Sequence, residues 1–136
     1  MRVVFDTSVI AAAFRSQYGA SNALLEEIYS GRIIPLISLP LLFEYEDVLS
    51  RDEHGLSSQQ IEAVLKSLVL LAIPVDIHFK WRPQLPDPSD EMVLEAAING
   101  MADVIVTHNV RDFLSVKGQF QLKVMRPSEL LKRIRS

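Results

Sequence analysis

Four short segments hold the residues that could do chemistry in this chain. Asp6-Thr7-Ser8 directly follows the apolar run Val3-Val4-Phe5. Glu44, Glu46 and Asp47 fall within residues 41–50, and Asp87-Pro88-Ser89-Asp90 forms a third segment. The fourth is Thr107-His108-Asn109-Val110-Arg111-Asp112-Phe113. Cysteine is absent, which excludes disulfides, thiolate zinc sites and cysteine nucleophiles together. The three histidines stand apart, without H-x-x-x-H or H-E-x-x-H spacing, and there is no P-loop or G-x-G-x-x-G. What remains is oxygen ligands, which suit a hard cation such as Mg²⁺ or Mn²⁺.

Each acid also has a plainer use. Asp before a helix is a common N-cap, but capping needs only one of Asp6, Thr7 and Ser8, which favours a functional Asp6. At ~100° per residue, Leu41, Leu42, Tyr45, Val48 and Leu49 cover one face of a helix. Glu44 and Glu46 flank that face on opposite sides and Asp47 points to solvent, so periodicity leaves Glu44 and Glu46 as equal candidates and, by itself, favours all three as solvated surface acids. Asp87 as N-cap, Pro88 at N1 and Asp90 at N3 make a good helix start. Asp90 then lies in line with Val93, Leu94 and Ala97 on the core side, while Glu91 and Glu95 are expected to be solvated. A carboxylate on the buried side of a first turn needs a cation or several donors to stay ionised. Asn109 and Asp112 also fit a turn or a short helical cap.

The elements that must position these residues alternate. Strands are expected at residues 3–5, 33–38, 75–77, 103–107 and, more weakly, 120–124. Helices are expected at 9–14, 20–29, 41–50, 59–71, 90–99 and 128–135, with Pro40 in a first turn, Ser57 or Ser58 as a start, and Gly31 and Gly100 as stops. Alternating strands and helices indicate an α/β domain with a mainly parallel sheet. Ligands of such sheets bind at the carboxyl ends of the strands. The first strand ends at Asp6 and the fourth at Thr107, so neighbouring strands would put Asp6 and residues 109–112 on one edge.

The chain has 136 residues, 49% hydrophobic and 23% charged, with a mean hydropathy of +0.18. This composition excludes a disordered or collagen-like chain and predicts a single domain over residues 1–136. The longest apolar stretches, residues 33–43 and 68–75, contain proline and are too short to span a bilayer. The expectation is a soluble, cytoplasmic protein with no membrane partner. The net charge of −3 divides into +5 over residues 111–136 and −8 over residues 1–110. A basic tail beside an acidic body could steer a polyanion towards metal-holding carboxylates. The plainer and favoured reading is that Lys132, Arg133 and Arg135 serve the macrodipole at a helix C-terminus.

Four features in order resemble the PIN domain family. They are Phe5-Asp6-Thr7-Ser8-Val9-Ile10, the Glu44-x-x-x-Val48-Leu49 helix, the Asp90-x₆-Ala97 helix and Val106-Thr107-x-Asn109-x-x-Asp112-Phe113. The likeness spans residues 1–130 and is to the small VapC-like toxins of prokaryotic toxin–antitoxin pairs. It implies a three-layer α/β/α domain with a central, mainly parallel sheet of four to five strands. It also implies a Mg²⁺- or Mn²⁺-dependent ribonuclease whose catalytic, metal-binding acids are Asp6, Glu44, Asp90 and Asp112, choosing Glu44 over Glu46. Ser8 stands where the family often has Asn, and Asn109 where some members have Asp. With Thr107 they are the candidates for positioning water or substrate. RNA substrate, a protein antitoxin and a homodimer are the implied partners.

Such a quartet is chemically sensible, because one or two Mg²⁺ ions, ~3.5–4 Å apart when paired, activate water and neutralise the leaving oxygen. A rival of another class is a PIN-like module that binds RNA or protein without cleaving. A phosphoaspartate protein fits less well: a phosphatase wants an acid where Ser8 stands, and a receiver wants its acceptor after the third strand. Tyr18, Phe79 and Trp81 are candidates for base or partner contact, with ordinary packing as the alternative.

Overall fold

The computed structural model describes residues 1–16, 18–78, 85–116 and 121–136. Its elements run β1 (Arg2–Phe5), α1 (Thr7–Arg15), α2 (Ala20–Tyr29), β2 (Ile34–Ser38), α3 (Leu39–Leu49), α4 (Ser58–Leu71) and β3 (Ile73–Val75). There follow α5 (Pro88–Asn99), β4 (Val104–Val106), β5 (Lys123–Met125) and α6 (Pro127–Ile134), with single 3₁₀ turns at Asp52–His54 and Val110–Phe113. The strands form one five-stranded, all-parallel sheet in the order β3-β2-β1-β4-β5. This is the expected α/β architecture.

Topology follows from which strands are buried on both faces. Val3, Val4 and Phe5 of β1 and Val104, Ile105 and Val106 of β4 are almost wholly buried, as a parallel sheet covered on both sides requires. The path β1→β2→β3 steps one way, and β4 then pairs on the far side of β1. With right-handed crossovers, that reversal sends α5 to the face opposite α1, α2 and α4. Phe14 of α1, Leu25 and Ile28 of α2, and Val64 and Leu68 of α4 accordingly line one shared apolar groove. The reversal also makes the carboxyl ends of β1 and β4 the crevice where a ligand belongs.

Local signals explain most boundaries. Ser38 caps α3, its Oγ accepting from the Leu41 N–H at 3.2 Å, with Pro40 in the first turn. At α4 the cap is Ser57, in a capping box with Gln60. The third strand is the main departure: it occupies Ile73–Val75 rather than residues 75–77. Pro74 lies inside it, and β3 is an edge strand, where a missing N–H is tolerated. The fifth strand similarly lies at Lys123–Met125 rather than 120–124, and Phe120 is outside the described residues.

Arg135 does not simply serve the α6 dipole. Its Nε lies 3.0 Å from Oε1 of Glu27, whose Oε2 is 2.6 Å from Arg32 Nη1. These bonds from Arg32 and Arg135 hold the Glu27 carboxyl below the usual carboxylate range. The clasp fastens the C-terminal helix to α2.

Gly100 is required by close approach rather than by its dihedrals. A Cβ there would stand 2.8 Å from the Ala96 carbonyl oxygen and 2.9 Å from both Leu36 Cδ1 and Val75 Cγ2. Two of those atoms belong to the sheet, so the α5 C-terminus would have to lift away from it. Gly100→Ala is expected to cost about 1–3 kcal/mol. Urea unfolding should show this as a lower midpoint at unchanged slope.

Candidate active site

Parallel pairing of Phe5 with Val106 places the next residues, Asp6 and Thr107, side by side. The Asp6 N–H donates to the Val106 carbonyl at 2.9 Å, and the Thr107 N–H donates to the Met125 carbonyl at 2.9 Å. Asp6 sits at the N-cap position of α1, but its carboxylate caps nothing. Instead its Oδ2 accepts from Thr107 Oγ1 at 2.7 Å and from Ser8 Oγ at 2.8 Å, with Thr7 Oγ1 3.5 Å from Oδ1. The Asn109 N–H in turn donates to Thr107 Oγ1 at 2.9 Å. The Ser8 and Thr107 hydroxyls are thus committed to holding Asp6, a buried carboxylate only 4% exposed.

Asp90 is in the first turn of α5 and buried, on the side its helical phase assigns to it. Asp87 is the cap, accepting from the Ser89 N–H at 2.9 Å. Burial pushes the Asp90 carboxyl from its ordinary 3.8 up to about 7, aided by the negative charges of Asp6, Asp87, Asp112 and Glu91. Asp6 and Asp112 therefore act on the same space as Asp90. Asp112 is exposed, on the 3₁₀ turn anchored by fully buried Phe113.

Glu44 and Glu46 part company. Glu44 Oε1 accepts from Ser89 Oγ at 2.9 Å, next to Asp90, whereas Glu46 faces an open groove between α3 and α4 with Glu62 and Lys66. Glu44 is joined to the Asp90 turn through Ser89 and is not among the charges that raise Asp90. Among the described residues no group of three His, Cys, Asp or Glu side chains is close enough to hold a metal ion.

Glu91 and Glu95 correct the sequence reading. Expected in solvent, they are 4% and 3% exposed. Helical phase gives an angle relative to the sheet, and it does not say what else packs on the helix, such as buried Leu85 at Glu91. Glu91 Oε1 accepts from the N–H of buried Leu85 at 2.8 Å. Three other contributors escaped the sequence reading. The Tyr45 hydroxyl donates to the Phe5 carbonyl just before Asp6, and burial with the nearby Asp6 charge pushes its pKa well up. Ser89 holds Glu44, and Ser21 meets His108. None has a local signal, because each partner is distant in the chain. Tyr18 is 90% exposed, so packing does not account for it. Phe79 and Trp81 lie outside the described residues.

A comparison with family models matches the PIN domain over residues 2–111, and the chain belongs to that family. PIN domains are generally nucleases, hydrolases that act on nucleic acids and typically use divalent metals. No curated protein matches the chain. Among the described residues no helix is long and apolar enough to cross a membrane.

Proposed function

We propose that this PIN domain is a Mg²⁺- or Mn²⁺-dependent ribonuclease, the cytoplasmic toxin of a toxin–antitoxin pair acting as a homodimer. The observation that carries this reading is the buried Asp90, whose ionisation is opposed by Asp6 and Asp112. A buried carboxyl crowded by like charges is the environment that a dication relieves. The donor set is all carboxylate oxygen, and Mg²⁺, which keeps several waters, needs only one or two carboxylates. Absence of a ready-made three-acid cage is compatible with that chemistry.

Asp6, Glu44, Asp90 and Asp112 would hold the cation. A divalent ion bound there supplies charge neutralisation at the scissile phosphate and an acidified water to attack it. Ser8 and Thr107 keep the Asp6 carboxylate fixed through Oδ2. Asp90 would be held as the carboxylate by such a cation, its proton released to solvent. Asn109, exposed at the rim, orients phosphate or water, and Arg111 beside it begins the basic tail that draws RNA in. The antitoxin reading is supported by an apolar groove lined by Phe14, Leu25, Tyr29, Val64, Leu68 and Leu71.

A second reading, a non-catalytic module for RNA or protein, is favoured by the acids not being drawn into a group of three. Incubating the purified protein with a structured RNA pool separates the two. Ribonuclease action predicts cutting with Mg²⁺ or Mn²⁺ that EDTA stops. Metal binding without cutting of any RNA would support the binder, and no metal binding at all would remove the mechanism.

A further inference from the structure

His108 stands outside the acid set but is built into its rim. It directly follows Thr107, and its N–H points at Ser8 Oγ 3.5 Å away, the hydroxyl that holds Asp6. Its ring crosses to another element, with Nε2 3.1 Å from Oγ of Ser21 in the first turn of α2. Ser21 is 4% exposed, and a buried hydroxyl must place its proton on an acceptor. Where that hydroxyl donates to His108 Nε2, 3.1 Å away, the ring proton stands on Nδ1. The His108 residue is itself exposed, and its Nδ1 has no protein partner among the described residues.

We infer that His108 is a substrate-contacting residue, its Nδ1–H donating to a backbone phosphate oxygen of the RNA next to the scissile bond. This rests on the ribonuclease reading above. The ring is fixed from behind by Ser21, so its donor is pre-oriented and loses little freedom on binding. Unlike Ser8 and Thr107, whose hydroxyls are taken by Asp6, it has a donor to spare. A hydrogen bond to a charged phosphate made equally in ground and transition states changes KM and leaves kcat.

The test measures kcat and KM on a single-stranded oligoribonucleotide that the wild type cuts, for His108→Ala, His108→Asn, Ser21→Ala and Ser21→Ala/His108→Ala. A parallel arm follows anisotropy of the same labelled oligonucleotide on Asp90→Asn and Asp90→Asn/His108→Ala. His108→Ala should raise KM about tenfold or more with kcat nearly kept. His108→Asn, which retains an N–H donor, should recover much of that loss. Ser21→Ala should have a smaller effect that disappears in the His108→Ala background. Unchanged KM, or loss of kcat and KM together without rescue by Asn, would overturn the assignment. Should the wild type cut no RNA, the ribonuclease reading fails, and the anisotropy arm still decides the contact. Binding about tenfold weaker in the double variant supports it, and equal or absent binding overturns it.

Discussion

Asp90→Asn should reduce RNA cleavage on the order of 10³-fold or more while making the metal-free protein more stable at pH 8. The two effects have one cause. The carboxylate at position 90 is buried and faces the charges of Asp6, Asp87, Asp112 and Glu91, so it is costly to ionise without a cation. Asparagine keeps the shape and removes the charge. It relieves repulsion at the ends of β1 and β4 and deletes the ligand on which the proposed chemistry depends. Allowing for solvent screening, the gain is about 2 kcal/mol, a rise of several degrees in Tm. Single-turnover cleavage and thermal melts of the two proteins, without metal at pH 8, check both sides. Cleavage within tenfold of the wild type would remove Asp90 from the site.

The second expectation concerns pH and metal together. The folded-state pKa of Asp90, about 7, lies above its ordinary 3.8, so the stabilisation from keeping it protonated is full below about 3.8 and is lost as pH rises through 7. Glu27 has the opposite sign. Its folded pKa is lowered from 4.5, so its contribution is present above that value and is lost as pH falls through the lowered one. These two groups therefore make metal-free protein most stable near about pH 4 and weaken it on both sides. Saturating Mg²⁺ or Mn²⁺ favours ionised Asp90, so the alkaline decline should flatten. The rise in Tm on adding metal should be small at pH 5.5, several degrees at pH 8, and nearly absent in Asp90→Asn. A metal-induced rise independent of pH would place the cation away from Asp90.

Much of this was legible one residue at a time. The runs Val3-Val4-Phe5 and Val104-Ile105-Val106 read as strands because buried parallel strands are apolar on both faces, and each ends at a polar residue. Helical phase put Asp90 inward for the same reason it put Val93 and Leu94 inward. Phase misled at Glu91 and Glu95, because it describes one helix and carries no information about which other parts of the chain bury its outer side. Periodicity left Glu44 and Glu46 equal, and it took the packing of α3 against α5 to give one of them Ser89. Asp6 has the position of a cap, and three candidate caps in a row favoured a functional carboxylate. That its carboxylate turns away from that task depends on Thr107, which the local sequence cannot supply. Tyr45 is similar: its helical position marks it as core, while its hydroxyl is spent on a strand 40 residues earlier.

β1 is the central strand, and one of its neighbours is made late. The carboxylate of Asp6 meets the hydroxyl of Thr107 across 101 positions of chain, and the Thr107 N–H then needs the Met125 carbonyl. During synthesis a growing chain therefore carries Asp6, Glu44 and Asp90 long before it has the β4 and β5 strands that frame them. A fragment cut short before residue 104 would expose the edge of β1, with Val3, Val4 and Phe5 uncovered, and would be prone to aggregate. The order of the strands therefore delays the frame around Asp6 until nearly the whole polypeptide has been made.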